Sequence, residues 1–390
     1  MLNIDYDRHN EEVRRLLQAE REGRPERVRM SIACNPRMIL SDPALNQEQV
    51  TFQEYIEDPE KMLAVQCRFQ EYFSDEIISD REMGFQNLES IPVYPDTQNV
   101  LEAAYFGCPI AYHGFNEPGT RICLTEENKR AFLDQEYPSI FTGLSGRTLE
   151  YMDCFAQQKK KGYTYHGKPI GAIGPAGTGT DGPFTIACCL LGATELCIAL
   201  YEEDFARALL SYITEGAIQR IRALRRHLGE PERSKEFFFA DDSIAMLSEQ
   251  DYRRFVLPLH KRIIQELAVE GSRNQIHLCG NASHLFPAIQ QELNVYTFDT
   301  GFPVRHGRLV QELAPGTVIL GGVHVDLLLN GDAEAIRAET RRILEEVKPH
   351  TRSFIIKEAN NLSPGTRPES LLAMHEAVRQ YGRYENPMTP

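Results

Sequence analysis

Three features are missing from this sequence of 390 residues, and each absence excludes a class of protein. Basic residues are in deficit, with 42 Lys and Arg against 56 Asp and Glu, so no cationic surface is available to neutralise nucleic-acid phosphates. No Cys-x-x-Cys pair occurs, and the irregular spacing of the cysteines indicates reduced thiols and no disulfide framework. No apolar run reaches transmembrane length and no apolar signal region opens the chain, so we expect a cytoplasmic protein with no membrane partner.

From residue 165 onward, short apolar runs alternate with helical segments, which is typical of βα units on a parallel sheet. Strands are predicted there at Pro169–Gly174, Phe237–Ala240, Gln275–Cys279, Val295–Phe298, Val318–Gly321 and Phe354–Lys357. A strand at Val28–Cys34 and one more between residues 75 and 95 bring the total to about eight, the number that closes a (β/α)8 TIM barrel. The predicted fold class is therefore α/β.

The predicted organisation is one domain over residues 1–390. Residues 1–27 form an N-terminal helical extension, because apolar residues recur at helical spacing between residues 5 and 25. Residues 80–150 form an irregular insertion of long loops and short helices over the C-terminal face of the barrel. Further helices are predicted at Thr51–Tyr72, Pro183–Leu200, Phe205–Leu228, Ser248–Glu270, His284–Leu293, Ala333–Val347 and Pro368–Tyr381.

Polar residues fall at or just after the carboxyl ends of these strands. They are Asn35, Asp241, Asp242, His277, Cys279, Asp299, His324, Glu358 and Asn360. In a barrel those ends converge on one face, where the active site is built, so the pattern predicts one pocket. Taken singly, Asp242 and Asp299 are also reasonable helix caps, and His324 is also explained as a buried histidine bonded to backbone.

His277 and Cys279 are the strongest candidates for metal ligands. Two residues apart on a strand, their side chains point to the same face. Imidazole and thiolate together supply half of a tetrahedral zinc site, and Asp299 or Glu358 would add a third ligand and leave one position open. A core cysteine beside a hydrogen-bonded histidine is the plainer interpretation of the same pair, and a salt bridge or loop anchor is that of Glu358.

Two other patterns have simpler interpretations. A glycine-rich loop lacks the Gly-Lys-Ser/Thr of a phosphate-binding loop, so its glycines are expected to let backbone approach a ligand closely. They are Gly171, Gly174, Gly177, Gly179 and Gly182. Asp241 and Asp242 could act as acid and base, although neighbouring carboxylates on a strand end point in opposite directions.

Several segments in order resemble the uroporphyrinogen decarboxylase superfamily over residues 165 to 384. They are Gly182-Pro183-Phe184-Thr185, Ala240-Asp241-Asp242, His277-Leu278-Cys279-Gly280, Leu320-Gly321-Gly322-Val323-His324 and the ending from Leu362 to Gly382. The resemblance implies a (β/α)8 barrel, in agreement with the strand count. It is nearer to the branch of cobalamin-dependent methyltransferases of the methylcobalamin:coenzyme M type, which carry H-x-C-G and a later Cys as zinc ligands.

Here the later Cys position falls near Asn360, with Glu358 close by, so the third ligand departs from that branch. The more distant cobalamin-independent methionine synthases have an acidic ligand one strand after H-x-C, a role that Asp299 could fill. The decarboxylase branch holds substrate carboxylates with paired arginines near the first strand, where this sequence has only Asn35-Pro36-Arg37.

The resulting hypothesis is a methyltransferase that moves a methyl group between a corrinoid and a small acceptor. It takes His277, Cys279, Asp299 and Glu358 as zinc ligands. It takes Asp241, Asp242, His324 and Asn360 as catalytic residues, and Asn35, Arg37 and Gly174 as cofactor-binding residues. Zinc and cobalamin are the expected cofactors, and a small-molecule substrate, a corrinoid protein and a second copy of the chain are the expected partners. A metal-independent decarboxylase and a non-catalytic corrinoid or tetrapyrrole binder are the alternatives.

Overall fold

The computed structural model describes residues 4–385, in which parallel strands alternate with helices. The strands are β1 Arg29–Met30, β2 Ile91–Val93, β3 Ile110–His113, β4 Asn116–Thr120, β5 Thr164–Tyr165, β6 Lys168–Ile173, β7 Phe238–Ala240, β8 Asn274–Leu278, β9 Val295–Thr300, β10 Val318–His324 and β11 Phe354–Ala359. The helices are α1 Tyr6–Arg21, α2 Arg37–Leu40, α3 Phe52–Glu57, α4 Pro59–Glu76, α5 Leu101–Tyr105, α6 Gly143–Lys160, α7 Pro183–Leu191, α8 Ala193–Ala199, α9 Glu203–His227, α10 Glu249–Asp251, α11 Leu257–Leu267, α12 Phe286–Leu293, α13 His306–Glu312, α14 Val325–Asn330, α15 Ala333–Val347 and α16 Pro368–Tyr381. None of the described helices is both long enough and apolar enough to span a bilayer.

Two parallel arrays carry the βα units. The larger is a six-stranded sheet in the order β1-β11-β10-β9-β8-β7, and the smaller pairs β2 with β6 in parallel, with β5 antiparallel at its edge. Backbone hydrogen bonds join the two edge strands of the larger sheet, β1 and β7, to loop segments: Asp80 N donates to Met30 O, and Ala240 N donates to Thr180 O, each over 2.9 Å. The α/β class with a parallel sheet is confirmed, whereas a continuous closed ladder is not seen within residues 4–385.

The core lies between the sheet and its helices. Phe239, Phe298 and Phe354 come from β7, β9 and β11, and all three are almost completely buried. Because side chains alternate along a strand, the neighbouring positions of the same strands face the opposite side of the sheet. His277, Asp299 and Lys357 contact one another there, so the polar face of the sheet is shared by β8, β9 and β11.

Two predicted helices are interrupted, each at an identifiable residue. The segment predicted as Pro183–Leu200 divides into α7 and α8 at Gly192, whose φ of 98° no helix can accommodate. The segment predicted as Ser248–Glu270 contains a π-helical turn at Tyr252–Val256 just before Pro258. Since proline has no N–H to donate, the hydrogen-bond ladder shifts its register there.

Residues 80–150 are less irregular than the sequence indicated. They contain β2, which lies within the range predicted for a strand, and the hairpin of β3 and β4, which was not predicted. The long helix α6 was also missed, because Gly143 and Gly146 in its first turn weaken the helical signal. The hairpin lies against the segment that follows β1, since Ser41 Oγ donates to Phe115 O over 2.9 Å.

Buried charges join the segment before β1 to the loop that follows α4. The Arg27 guanidinium donates two bonds of 2.7 Å to the Asp80 carboxylate, which also accepts from Met30 N over 2.6 Å and contacts His375 Nε2 over 3.2 Å. Burial alone would raise the pKa of Asp80, but the hydrogen bonds from His375 and Arg27 outweigh it and hold that pKa below its ordinary value. The ionised carboxylate is therefore part of the native structure.

We expect Asp80→Asn to lower the free energy of unfolding by about 3–5 kcal/mol, because it removes the closest counter-ion of the buried Arg27 charge and leaves only the Glu12 carboxylate, 3.7 Å away. Chemical denaturation measures this change. Glu82→Gln is the control, since Glu82 forms an exposed pair with Arg14, and such pairs contribute little. In the wild-type protein the Asp80 contribution is fully present above the unfolded Asp pKa of about 3.9 and is lost as the pH falls below it. Equal loss in both variants, or no acid-dependent difference between Asp80→Asn and wild type, would contradict this assignment.

Candidate functional site

The carboxyl ends of β7, β8 and β9 meet at one edge of the larger sheet. Ala240 is in register with His277, and His277 is in register with Asp299. The residues that follow these strands therefore come together although they are far apart in the sequence. The edge carries Asp242 in the turn after β7, His277 and Cys279 at the end of β8, and Asp299 near the end of β9.

Asp242, His277 and Cys279 form the only group of three possible metal ligands within residues 4–385. Their ligand atoms all lie within 4.8 Å of one another. Asp242 Oδ1 is 4.0 Å from His277 Nε2 and accepts a hydrogen bond of 2.6 Å from the backbone N–H of Cys279. The shared face predicted for His277 and Cys279 is present, and the carboxylate beside them belongs to Asp242. We refer to these three residues as the triad.

Asp299 contacts the other ring nitrogen of His277. Asp299 Oδ2 is 2.8 Å from His277 Nδ1, and Asp299 Oδ1 accepts a bond of 2.9 Å from Lys357 Nζ. A carboxylate on one nitrogen fixes the tautomer and orientation of a histidine whose second nitrogen binds a metal. Here that second nitrogen, Nε2, is directed towards Asp242.

The charges around His277 and Cys279 change their protonation. Burial would lower the pKa of His277, but the hydrogen bond and charge of Asp299 outweigh burial and raise it. Burial and the neighbouring Asp242 carboxylate raise the pKa of the Cys279 thiol to about 12. Without a bound cation, Cys279 is therefore a neutral thiol. A divalent metal has to displace its proton, as metals do at thiolate sites.

Gly301 fixes the position of Cys279. Its N–H donates to Leu278 O over 2.9 Å, and the next residue, Phe302, donates to Cys279 O over 3.2 Å. A Cβ atom at position 301 would overlap the carbonyl group of Cys279. Only glycine allows the β9 end to approach so closely, so this residue shapes the site without contacting a ligand.

The two neighbouring aspartates point in opposite directions, as strand alternation predicts. Asp241 is completely buried and accepts from Phe184 N, Thr185 N and Thr185 Oγ1, and it contacts His260 Nε2 over 3.0 Å. All of its contacts hold α7 and α11 to the end of β7. Of the two aspartates, only Asp242 faces His277 and Cys279, so the structure gives Asp241 the surroundings of a structural residue.

Glu358 does not join the triad. Its carboxylate is fully buried, and both oxygens lie 3.2 Å from Ala33 N, next to β1. Burial raises its pKa to about 8. The Lys357 ammonium lies between two carboxylates, with Nζ 2.9 Å from Asp299 Oδ1 and 3.4 Å from Glu358 Oε1.

Asn35 and Arg37 lie at the end of β1, away from the triad's own contacts. Asn35 Oδ1 accepts from Arg37 N and Nε, each over 3.0 Å, and Arg37 Nη1 is 2.6 Å from Glu117 on β4. Arg37 Nη2 is buried and has no hydrogen-bond partner among the described residues. An acceptor group of a ligand could reach it there.

The remaining predicted residues have local roles. His324 Nδ1 accepts from Asp326 N over 3.3 Å, and its ring lies 3.9 Å from that of the exposed Phe302. Asn360 follows β11 with a φ of 100°, a conformation that non-glycine residues rarely adopt. The N–H of Gly174 continues the β2–β6 pairing by donating to Val93 O over 2.9 Å.

The glycine-rich loop is approached closely by protein groups, and the approach of a ligand to its backbone stays a prediction. Arg220 donates to Gly177 O over 2.6 Å and to Gly179 O over 2.8 Å, and its charge pairs with the buried Glu102 over 3.0 Å. A Cβ at Gly182 would overlap Asp241. The loop is thus packed between α5, α9 and the β7 end.

Sequence reasoning missed Lys357, Gly301 and Asp96. A lysine directly before Glu358 in an apolar strand was the available signal for Lys357, whereas the sequence around Gly301 offers none. Asp96 follows β2 and is buried, where it accepts from Tyr55 Oη over 2.9 Å and from Gln98 N over 2.8 Å. Burial raises its pKa despite these bonds.

Comparison with known proteins agrees with the resemblance in the motifs. The family model for uroporphyrinogen decarboxylase (URO-D) matches residues 172–381. A methylated-thiol–coenzyme M methyltransferase of Methanosarcina mazei is 33% identical over 147 residues, which make up 37% of this chain and 37% of that protein. A uroporphyrinogen decarboxylase of Myxococcus xanthus is 29% identical over 136 residues, or 35% of this chain and 38% of that protein. The chain thus spans little more than a third of the length of these curated relatives.

A solved structure extends the likeness to the whole chain. A methyltransferase from Methanosarcina mazei superposes with a TM-score of 0.63, covering 95% of this chain and 98% of that one. The sequences are 16% identical, so this likeness concerns the fold alone. Because the family model covers more than half of the 390 residues, the chain belongs to the uroporphyrinogen decarboxylase (URO-D) family.

Proposed function

We propose that this protein is a zinc-dependent methyltransferase that moves a methyl group between a corrinoid and a small thiol acceptor. The observation that carries the proposal is the triad of Asp242, His277 and Cys279 at the carboxyl ends of neighbouring strands. In barrels with parallel strands the active site is built at those ends. The proposal treats the two parallel sheets as parts of one (β/α)8 barrel with the triad at its mouth.

The donor set suits zinc. Catalytic zinc sites use three protein ligands of nitrogen, sulfur or carboxylate type and leave a fourth position open for substrate. Asp242, His277 and Cys279 would hold the ion, which would act as a Lewis acid that stabilises the acceptor as its thiolate. Asp299 takes the orienting role on His277 Nδ1. Glu358 is left out of the proposed ligand set, because its carboxylate accepts from Ala33 N.

Other groups of the chain orient the proposed ligands and neutralise the charges beside them. Asp299 holds the His277 ring so that Nε2 faces Asp242, and Lys357 neutralises Asp299 from the opposite side. The backbone N–H of Cys279 fixes the Asp242 carboxylate at 2.6 Å. Ligands held in this way lose little conformational freedom when a cation binds, which favours affinity.

The curated relatives support the class of reaction. One of them acts on methylated thiols and coenzyme M according to its name. The corrinoid, and a corrinoid protein as partner, come to this proposal through the motif resemblance described above. A small-molecule thiol as methyl acceptor is compatible with both.

A carboxy-lyase is the second candidate, and the buried Nη2 of Arg37 is the observation that favours it. That atom could donate to a substrate carboxylate at the end of β1. However, Glu117 already neutralises Arg37 over 2.6 Å, and the buried carboxyl of Asp96 is close enough to be stabilised by its charge. A further anion would therefore meet little net positive charge, so we rank methyl transfer first.

The first prediction concerns metal content. Purified without chelators, the wild-type protein should hold about one zinc per chain, because three ligands within bonding reach of one ion bind it tightly. His277→Ala, Cys279→Ser and Asp242→Asn should each lose it, as measured by atomic emission. His284→Ala is the matched control, since His284 lies in the same loop but contacts Leu247 O. Metal-free wild-type protein, or zinc retained in all three variants, would exclude the proposed site.

The second prediction tests Asp299 as an orienting residue. Asp299→Asn should keep zinc but lower its affinity about 10–100-fold, because the other nitrogen of His277 loses its carboxylate partner. Competition with a chromogenic chelator measures the affinity, and far-ultraviolet circular dichroism checks the fold. If Asp299→Asn abolished zinc binding as fully as His277→Ala does, Asp299 would be a ligand itself.

The third prediction concerns turnover. With methylcobalamin and a small thiol, the wild-type protein should produce the methyl thioether and the spectrum of cob(I)alamin. His277→Ala should slow this about a hundredfold or more, because the metal's Lewis acidity supplies several kcal/mol. Cobalamin binding without turnover would favour a non-catalytic binder. Release of carbon dioxide from uroporphyrinogen would favour the carboxy-lyase.

A further inference from the structure

A second cluster of sulfur atoms lies outside the triad, at the base of the β3–β4 hairpin. Cys108 precedes β3 and Cys123 follows β4, and their Sγ atoms are 3.5 Å apart. Antiparallel pairing of Ile110 with Thr120 brings the two chain segments together. The thiols are therefore placed side by side by the register of the hairpin, although fourteen residues separate them in the sequence.

We propose that Cys108 and Cys123 are a redox-active thiol pair that a peroxide converts into a disulfide. The proposal is independent of the methyl-transfer function, since neither cysteine contacts the triad. A disulfide requires the two sulfur atoms to approach by about 1.5 Å from their present separation, to the covalent distance of about 2.05 Å. Rotations of the two side chains can supply such a movement.

The surroundings give the two thiols different roles. Cys108 is almost completely buried, while Cys123 is half-buried and follows the exposed Ile122. The hydrogen bond with Cys108 lowers the pKa of Cys123, and the same contact raises that of Cys108. Oxidants react with accessible thiolates, so Cys123 is the sulfur that is oxidised first and Cys108 is the one that resolves the sulfenic acid.

The reaction balances with hydrogen peroxide as the oxidant. The Cys123 thiolate attacks one peroxide oxygen, the O–O bond breaks, and a sulfenic acid and hydroxide form. The Cys108 sulfur then attacks the Cys123 sulfur, the S–O bond breaks, and the oxygen leaves as water after taking up the thiol proton. In total, two thiols and one peroxide give one disulfide and two water molecules.

The Cys108–Cys123 disulfide would restrain the β3–β4 hairpin, which contacts the segment that follows β1. The hairpin carries Glu117, the partner of Arg37 at the end of β1, and Phe115, whose carbonyl accepts from Ser41. On its other side, Cys123 N donates to Leu190 O of α7 over 3.1 Å. Closing the base of the hairpin therefore restricts the segment between β1 and α7.

The test is treatment of the full-length protein with hydrogen peroxide, followed by peptide mass spectrometry. The expected product is a Cys108–Cys123 cross-link that lacks two hydrogen atoms and is reversed by dithiothreitol. Amides of residues 110–120 should then exchange more slowly with deuterium. Cys154→Ser, which changes a half-buried thiol on α6, should form the link as wild type does.

A trapping experiment separates the two roles. In Cys108→Ser, peroxide should leave a sulfenic acid on Cys123 that dimedone captures, whereas wild-type protein should show almost no adduct because Cys108 resolves it. Cys123→Ser should show neither link nor adduct at Cys108. A Cys108–Cys189 link, or oxidation of Cys123 to sulfinic acid with Cys108 still free in wild type, would overturn the proposal. Unaltered circular dichroism of the variants confirms that they fold.

Discussion

The buried carboxylate of Asp241 fixes the end of β7, and the geometry of the candidate site follows from it. It accepts three bonds from Phe184 and Thr185 at the start of α7 and contacts His260 on α11, so two helices and a strand converge on one side chain. Because neighbouring strand residues point to opposite sides, anchoring Asp241 in the core directs Asp242 towards β8. Asp242 then accepts from the N–H of Cys279, which joins the ends of β7 and β8. A buried polar network of this kind specifies one arrangement because each unmet bond would be costly.

The same strand ends carry a compensated set of charges. A zinc ion bound by one carboxylate, one thiolate and one neutral imidazole would have its two positive charges cancelled by Asp242 and Cys279. Lys357 balances Asp299 over 2.9 Å, and burial raises the pKa of Glu358 to about 8, so that it is mostly protonated at neutral pH. The loaded site is then close to neutral, which limits the cost of burying it. Without the cation, protonation of the Cys279 thiol removes one of the two negative charges and leaves that of Asp242.

Much of this arrangement could be predicted from the sequence, because it depends on strand periodicity. The shared face of His277 and Cys279 and the opposed directions of Asp241 and Asp242 are consequences of the two-residue repeat, and the parallel βα order follows from the alternation of apolar runs with helical segments. The third member of the triad could not be predicted, because the carboxylate beside His277 and Cys279 comes from Asp242 in the turn after β7, and the course of that turn is decided by tertiary packing. Gly301 and α6 were missed for a related reason: a close backbone approach and a glycine-containing helix start are decided by tertiary packing.

The position of Asn360 after β11 bears on where the proposed site takes its third ligand. The position where the methyltransferase branch has a late Cys falls near this residue, whose φ of 100° is unfavourable for an asparagine. Asn360 follows β11 directly, so this unfavourable conformation lies in the turn at the carboxyl end of that strand. In the proposed zinc site, a thiolate from that turn would add a negative charge to a ligand set that Asp242 would complete. The proposal takes the third ligand from the β7 turn, which would give the same ligand count and charge from a different strand.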